Sequence, residues 1–249
     1  MIDLHCHLLP GIDDGPDTLE QALELARLAV SNGITHSVVT PHIHPGRYEN
    51  DAVSIQQSLN EFRAALLEHE IPLQLGFAGE VRLGAEIPML IESNQIPFYG
   101  TLDGYQIFLL ELPHSHVPPG SDKLVEWLLQ RNIKPMIAHP ERNKDIMRKF
   151  EKVMPFMELG CLFQLTAGSV AGDFGEAARQ TAHWMLESGK VTVLASDAQN
   201  AQYRPPRLDH GRDAAAAIIG NELARELVYA RPALLVSQQF NDLAMGNVT

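Results

Sequence analysis

Two histidines lie two residues apart in the opening segment, Met1-Ile2-Asp3-Leu4-His5-Cys6-His7. If the apolar residues of this segment form a β-strand, side chains alternate between its faces, so His5 and His7 point the same way and Cys6 packs behind them. Two imidazoles on one face can hold one metal ion, because neutral imidazole is a common metal ligand in proteins. A His-x-His pair also occurs without any metal, so the rest of the chain has to decide.

Imidazoles and carboxylates follow six of the seven strands that the sequence predicts. They are His5 and His7, His42, Glu80, Glu111, His139 and Asp197. The C-terminal ends of barrel strands gather on one face, where the connecting loops form the functional site. Glu80 or Glu111 alone would be interpreted as a solvated loop charge, but the shared position of the whole set predicts a metal site.

The predicted donors are nitrogen and oxygen atoms without thiolate, a set that suits manganese, iron or zinc. A carboxylate such as Glu80 can bridge two cations, and a pair of ions about 4 Å apart activates a water and stabilises both reacting oxygens in phosphate-ester hydrolysis. Arg142 and Arg204 follow His139 and Asp197 in the same loops. Arginine pairs with phosphate oxygens through two parallel hydrogen bonds, although either residue could be an ordinary surface charge.

Other histidines carry weaker expectations. His114 and His116 repeat the His-x-His spacing in a proline-flanked loop, where exposure to solvent is the simpler interpretation and a role at the substrate edge is the alternative. His44 and Arg47 could reach the active face on a mobile loop. The remaining four are interpreted as structural: His36, His69, His183 and His210.

A cysteine nucleophile is excluded, because phosphatases of that kind need an arginine six positions after the cysteine and neither cysteine has one. Cys6 and Cys161 fall on predicted strands and are expected in the core. Two cysteines imply no disulfide framework, so a reducing cytoplasm is the expected location.

The elements that would position these residues alternate along the chain. Strands are predicted at 2–4, 35–40, 73–78, 105–110, 134–138, 161–165 and 191–195. Helices are predicted at 18–32, around 55–66, and at 122–131, 144–158, 175–188 and 208–229, the first with Asp17 as N-cap and Glu20 in a capping box. This order predicts an α/β fold with parallel winding, and the shared strand-end site favours a closed or nearly closed barrel. No linker divides residues 1–249, so a single domain is expected.

Composition excludes several classes of function. Of 249 residues, 45% are hydrophobic and 20% are charged, which is typical of a globular protein. The formal net charge of −12 disfavours binding to nucleic acid or to an anionic membrane. No apolar run approaches the roughly 20 residues of a membrane helix, so no membrane insertion is expected.

The ordered motifs resemble those of the PHP family (polymerase and histidinol phosphatase), and more closely the manganese-dependent bacterial protein-tyrosine phosphatases of the CpsB type. Besides the opening segment, the matching stretches are Asp-Asp-Gly-Pro at 13–16, Thr-Pro-His at 40–42, Gly-Glu at 79–80, Ile-Ala-His-Pro-Glu-Arg at 137–142, Ala-Ser-Asp at 195–197 and Arg-Pro-Pro at 204–206. They span nearly the whole chain.

This resemblance implies a distorted seven-stranded β/α barrel with a cluster of two or three cations, Mn²⁺ first and iron or zinc as alternatives. One ion would take His5, His7, Glu80 and Asp197; a second would share Glu80 and add Glu111 and His139; a third would use Asp14, His42 and Gln199. Arg142 and Arg204 would hold the phosphoryl group. The implied substrate is phosphotyrosine in a bacterial tyrosine autokinase that controls capsule or exopolysaccharide synthesis, with bound cations activating water for attack on phosphorus.

Gln199 departs from the family pattern, which usually has histidine at this position in the motif Ser-Asp-x-His. An amide oxygen is a weaker donor to a transition metal than an imidazole nitrogen, so the third site is expected to be weaker, differently filled or closed by water. Two alternatives to a tyrosine phosphatase remain: another phosphoesterase of this family, of histidinol-phosphate or nucleotide type, and a metal-binding regulator without catalysis.

Overall fold

Seven parallel strands, two of them in two pieces, form the frame of the computed structural model, which describes residues 1–244. The strands are β1 (Ile2–Cys6), β2 (His36–Val39), β3 (His42–Ile43), β4 (Gln74–Phe77), β5 (Glu80–Arg82), β6 (Gly100–Leu102), β7 (Tyr105–Glu111), β8 (Ile133–Ala138), β9 (Leu162–Thr166) and β10 (Val193–Ala195). Each predicted strand is present, and the short β6 adds an antiparallel hairpin with β7 that the sequence analysis did not predict.

Parallel pairing runs from β3 through β5, β7, β8 and β9 to β10, while β1, β2 and β4 pair as a second parallel segment. Cys6 forms a parallel bridge with Ala198, and the amide of His7 donates to the carbonyl of Ala198 at 2.8 Å. The end of β1 therefore meets the segment that follows β10. The predicted distorted seven-stranded β/α barrel is confirmed.

Two predicted strands resume after a short break, and the second pieces carry site residues. Pro41 separates β2 from β3 and lacks an amide hydrogen for the ladder. Gly79 separates β4 from β5, where a Cβ would lie 2.5 Å from Cδ1 of Ile43. Because of these breaks, β3 and β5 begin at His42 and Glu80, which are paired in register.

Helices cover the barrel between the strands. They are α1 (Leu19–Ser31), α2 (Ala52–Glu68), α3 (Ile87–Glu92), α4 (Ser121–Leu129), α5 (Lys144–Arg148), α6 (Met154–Glu158), α7 (Ala167–Ala171), α8 (Glu176–Glu187), α9 (Leu208–Ile219), α10 (Asn221–Glu226), α11 (Ala230–Val236) and α12 (Asn241–Ala244). The apolar stripe predicted on α2 is buried, as are Cys6 and Cys161. No helix within residues 1–244 is long and apolar enough to cross a membrane.

Three details of the predicted helices are wrong. The N-cap of α1 is Thr18, whose side chain accepts from the amide of Gln21, and not Asp17, so Glu20 does not stand at the capping-box position. The helix expected at 144–158 is divided into α5, a short 3-10 turn and α6, because Lys149 is extended and Pro155 favours a new helix start. The helix expected at 208–229 ends at Gly220, whose positive φ of 86° terminates α9.

Candidate metal centre

The residues predicted at the strand ends lie together at one end of the barrel. His5 lies within β1 and His7 just after it, Glu111 ends β7, and His139 and Asp197 follow β8 and β10. With His42 and Glu80 from β3 and β5, they surround a common centre. Among residues 1–244, four overlapping groups have donor atoms within 4.8 Å of one another: His5, His7 and Glu80; His5, His139 and Asp197; His7, Asp14 and His42; His42, Glu80 and Glu111.

Glu80 lies at the middle of this set and is 1% exposed. Its Oε1 atom is 2.7 Å from Nε2 of His139, and its Oε2 atom is 3.2 Å from Nε2 of His5 and 3.1 Å from Nδ1 of His42. Burial alone would raise the pKa of Glu80, but His5 and His42 outweigh burial and hold this pKa well below its usual value. The carboxylate is therefore ionised and can bridge two cations.

Asp197 connects the cluster to both arginines. Its Oδ1 atom is 3.5 Å from Nε2 of His5 and of His7, and its Oδ2 atom accepts from Arg142 at 2.5 Å and also from Arg204. Burial opposes ionisation, yet the two guanidiniums keep the pKa of Asp197 well below its ordinary range. One carboxylate thus faces donor imidazoles with one oxygen and positions two cationic side chains with the other.

Two of these residues have left-handed backbones, which are uncommon for residues other than glycine. His139 has a φ of 30° and Asp197 a φ of 51°. Both follow immediately on strand ends, where the chain turns away from the sheet. Such conformations cost about 1–3 kcal/mol each and concentrate at functional sites. The surrounding packing therefore holds both side chains toward the centre, at the cost of backbone strain.

Gln164 and Asp13 orient the histidines, and the sequence analysis did not identify either role. Oε1 of Gln164 lies 2.9 Å from Nδ1 of His5 and accepts from the amide of His139 at 3.2 Å. Oδ2 of Asp13 lies 2.6 Å from Nδ1 of His7. A hydrogen-bond partner on Nδ1 leaves Nε2 as the nitrogen that can bind a metal ion. Residues that lie behind metal-ligating histidines usually orient them in this way. Gln164 lies on β9, the one predicted strand without a candidate ligand at its end.

Unpaired buried atoms test whether this set of residues suits metal ions. Within residues 1–244, Nδ1 of His42 and Oε2 of Glu80, although 3.1 Å apart, and Oδ1 of Asp197 are buried without a partner in hydrogen-bonding geometry. All three belong to the donor groups above, and such orphaned atoms are costly unless something pairs with them. The imidazole and carboxylate donors therefore fit divalent transition cations.

Asp14 and Gln199 form the edge of the cluster. Nε2 of His42 lies 3.3 Å from Oδ1 of Asp14, and Nε2 of Gln199 donates to the same oxygen at 3.1 Å. Gln199 is 8% exposed, so its side chain is held in this corner. The carboxylate of Asp14 therefore has the side-chain amide of Gln199 as its neighbour, at the position where the family pattern usually has histidine.

A cleft of about 360 Å³ opens above the centre. Arg142 and Arg204 line it, and the Phe174 ring packs against both guanidiniums at 4.8 and 5.8 Å from its centroid. Arg82, which the sequence analysis did not single out, also lines the cleft and pairs with Glu111 at 2.9 Å.

The loop histidines divide between cleft and surface. His44 and Arg47 line the cleft, as does His114. His114 and His116 are both exposed, as predicted, but His116 is not part of the cleft wall. Burial, and then the positive charge of Arg142, lower the pKa of His114.

Comparison with known proteins places this arrangement in a family context. The chain is 31% identical to the tyrosine-protein phosphatase YwqE of Bacillus subtilis, over 92% of this chain and 87% of YwqE. It is 33% identical to a putative tyrosine-protein phosphatase CapC of Staphylococcus aureus, over 82% of this chain and 79% of that protein.

A solved structure shows the same likeness in three dimensions. It is one of the crystal structures of YwqE from Bacillus subtilis and CpsB from Streptococcus pneumoniae, described as metal-dependent tyrosine phosphatases. It matches this chain with a TM-score of 0.87 at 31% identity, over 94% of both chains. A probable 2-pyrone-4,6-dicarboxylic acid hydrolase of Acinetobacter baumannii shares the fold alone, with a TM-score of 0.52 at 13% identity. The model of the capsular polysaccharide synthesis family CpsB/CapC matches residues 1–237, and with these likenesses it shows that the chain belongs to the CpsB/CapC family.

Proposed function

We propose that this protein is a manganese-dependent protein-tyrosine phosphatase that hydrolyses phosphotyrosine. The observation that carries the proposal is the joining of overlapping donor groups to two arginines through the single carboxylate of Asp197. Cations beside paired guanidiniums suit a dianionic phosphate ester, because both compensate the negative charge that the transferring group carries. The relatives named as tyrosine phosphatases support the same substrate class.

The proposed ligand sets follow the donor groups. His5, His7, Glu80 and Asp197 would hold one ion; Glu80, Glu111 and His139 a second; and Asp14, His42 and Gln199 a third. When bound, such ions lower the pKa of a water and stabilise the charge that develops on the phosphoryl oxygens.

Arg142 and Arg204 act on the phosphoryl group itself. Each guanidinium has five N–H donors, and the ion pair with Asp197 uses only part of this capacity. The remaining donors are available to bind phosphoryl oxygens, while Phe174 restricts the rotation of both side chains. The tyrosyl leaving oxygen has a parent pKa near 10, so strong acid assistance is less necessary than for an alkyl ester.

The first test uses the purified protein after chelation. We expect turnover of p-nitrophenyl phosphate and of phosphotyrosine peptides to be restored by Mn²⁺, with histidinol phosphate and a phosphoserine peptide turned over far more slowly. Preference for histidinol phosphate would favour the alternative that the protein is a phosphoesterase of histidinol-phosphate type. Absence of metal-dependent turnover of every substrate would favour the non-catalytic regulator.

Arg142→Lys tests the phosphoryl-binding role within the same assay. Lysine keeps the charge but loses the planar fork, so we expect kcat/KM for p-nitrophenyl phosphate to fall about 10- to 100-fold. Arg148→Lys is the matched control, because Arg148 is exposed at the end of α5. Equal rates for the two variants would contradict the role of Arg142.

The proposed physiological substrate is a bacterial tyrosine autokinase that controls capsule or exopolysaccharide synthesis. The description of the family as capsular polysaccharide synthesis proteins supports this setting. Incubation of a phosphorylated autokinase with the Mn²⁺-loaded protein should remove phosphotyrosine, as measured by mass spectrometry. Retention of all phosphotyrosines while a free phosphotyrosine peptide is hydrolysed would contradict this partner.

A further inference from the structure

Further basic side chains line the same cleft, apart from the arginines that pair with Asp197. Arg47, Arg82, His44 and His114 line the cleft together with Arg142 and Arg204. The four arginines share this cleft with four carboxylates, those of Asp14, Glu80, Glu111 and Asp197. Arg142 and Arg204 pair with Asp197 and Arg82 pairs with Glu111, which leaves Arg47 as the arginine of the cleft without an ion pair among residues 1–244. At physiological salt the screening length is about 8 Å, so a bound ligand responds mainly to the charges closest to it.

Arg47 lies on a tight turn that fixes its position. The amide of His44 donates to the carbonyl of Tyr48 at 3.0 Å, and the amide of Tyr48 donates back at 2.8 Å. Gly46 supplies the positive φ of 82° that this turn requires. The turn follows directly on β3, so Arg47 is tied to the strand that presents His42.

Tyr48 links Arg47 to the metal centre. Its ring stacks on that of His42, with centroids 5.4 Å apart and planes 10° apart, and the guanidinium of Arg47 lies 5.0 Å from the centroid of the Tyr48 ring. Arg47 is exposed and forms no ion pair with any carboxylate of residues 1–244, whereas Arg82 pairs with Glu111. Arg47 therefore offers its donors to a ligand at the mouth of the cleft.

We infer that Arg47 forms a second anion subsite that takes the carboxylate of an acidic residue next to the phosphotyrosine of a peptide substrate. This inference rests on the proposed function, because the phosphoryl group itself occupies the floor of the cleft beside Arg142 and Arg204. An acidic peptide fits better than a neutral one, since its flanking carboxylate finds a guanidinium that no carboxylate within residues 1–244 neutralises. The same chemistry would accept a second phosphate at that position.

Binding and turnover together test the subsite. Three phosphotyrosine peptides differ at the flanking positions, which carry alanine, glutamate or a second phosphotyrosine, and binding is measured with versions bearing a non-hydrolysable phosphonate. We expect the wild-type Mn²⁺-loaded protein to bind the glutamate peptide about 3- to 10-fold more tightly than the alanine peptide at low salt, as for an exposed charge-assisted contact. A gain confined to the second phosphotyrosine would overturn the assignment of a carboxylate.

Arg47→Gln should abolish the preference for the glutamate peptide. Arg225→Gln is the matched control, because Arg225 is also exposed and also lies over a tyrosine ring, at 5.5 Å from Tyr229, but lines a different surface beside Ile2 at the start of β1. Arg225→Gln should keep the wild-type ratio of the dissociation constants of the alanine and glutamate peptides. Added salt should reduce this ratio in wild type and in Arg225→Gln alike.

The same ratio of dissociation constants in wild type and in Arg47→Gln would overturn the subsite. Failure of the proposed function has a different signature: none of the peptides is hydrolysed with Mn²⁺, while the ratio of dissociation constants still reports whether Arg47 binds a carboxylate.

Discussion

At the scale of single residues, the centre depends on side chains that do two things at once. Glu80 contacts four imidazoles, and Asp197 faces both the donors and the arginines. Gln199 differs from these residues because its amide is neutral and its nitrogen faces Asp14. A neutral amide gains less than an imidazole from a transition cation, so we expect this corner to be the weakest part of the cluster.

Gln199→His should therefore raise the Mn²⁺ content per chain and tighten the weakest binding step by roughly 10-fold. The metal content is measured by mass spectrometry of the dialysed protein, and affinity by titration. Gln202→His is the control, since Gln202 is exposed on the same loop. Unchanged metal content and unchanged rate in Gln199→His would count against a ligand position here.

At the scale of elements, the close contact of α7 with α9 determines the position of the loop that carries Arg204. Gly211 on α9 lies so near α7 that a Cβ would overlap the Cα and Cβ of Ala167 and come within 2.7 Å of its carbonyl oxygen. α7 follows directly on β9, which carries Gln164, and α9 follows the loop of Arg204. A glycine at this contact thus places residues from two distant parts of the chain on one face.

Gly211→Ala should lower the free energy of unfolding by about 1–3 kcal/mol, because the added methyl group meets backbone that cannot move without shifting α7. Urea unfolding followed by circular dichroism measures this change. Ala217→Ser on the exposed face of α9 serves as the control and should stay within about 0.5 kcal/mol of wild type. Equal stability of Gly211→Ala and wild type would show that the two helices can separate at no cost.

At the scale of the whole molecule, metal ions at the proposed sites would compete with protons for the same histidines. Burial lowers the pKa values of His5, His7 and His42, but carboxylates outweigh it and raise them above 6.5 in the metal-free fold. The stability that these protons contribute is present below about pH 6.5 and is lost as the pH rises through the folded pKa values. His139 titrates below this window, because burial and then Arg142 lower its pKa to about 4.

We therefore expect the increase in Tm produced by Mn²⁺ to grow as the pH rises above about 6.5 and through the raised pKa values of these histidines, since cations need neutral imidazoles. The difference in Tm between loaded and chelated protein is the quantity to measure. Burial lowers the pKa of the α-amino group of Met1 to about 6, so this group makes the fold more stable as the pH rises. It acts equally on loaded and chelated protein and therefore does not change the difference in Tm. His7→Ala should lose the increment, and an increment that is independent of pH in wild type would contradict the competition.

The positions of the candidate ligands could be predicted from the sequence because a strand end has a local signature. An apolar run followed by histidine or a carboxylate recurs through the chain, and parallel winding brings such ends to one face. The helix breaks at Lys149 and Gly220 were missed, because the apolar periodicity continues across both. Pro155 and Gly220 are the signals that could have located them.

What only the tertiary structure decided is which polar groups stand behind and beside the ligands. Gln164, Phe174 and Arg82 have no pattern of their own in the sequence, and their roles arise from contacts between residues far apart in the chain, such as the 159 residues that separate His5 from Gln164. The sequence by itself determined the type and order of the donor residues, since periodicity is a local property. Side-chain partners depend on how the barrel closes, which is set by packing over the whole molecule.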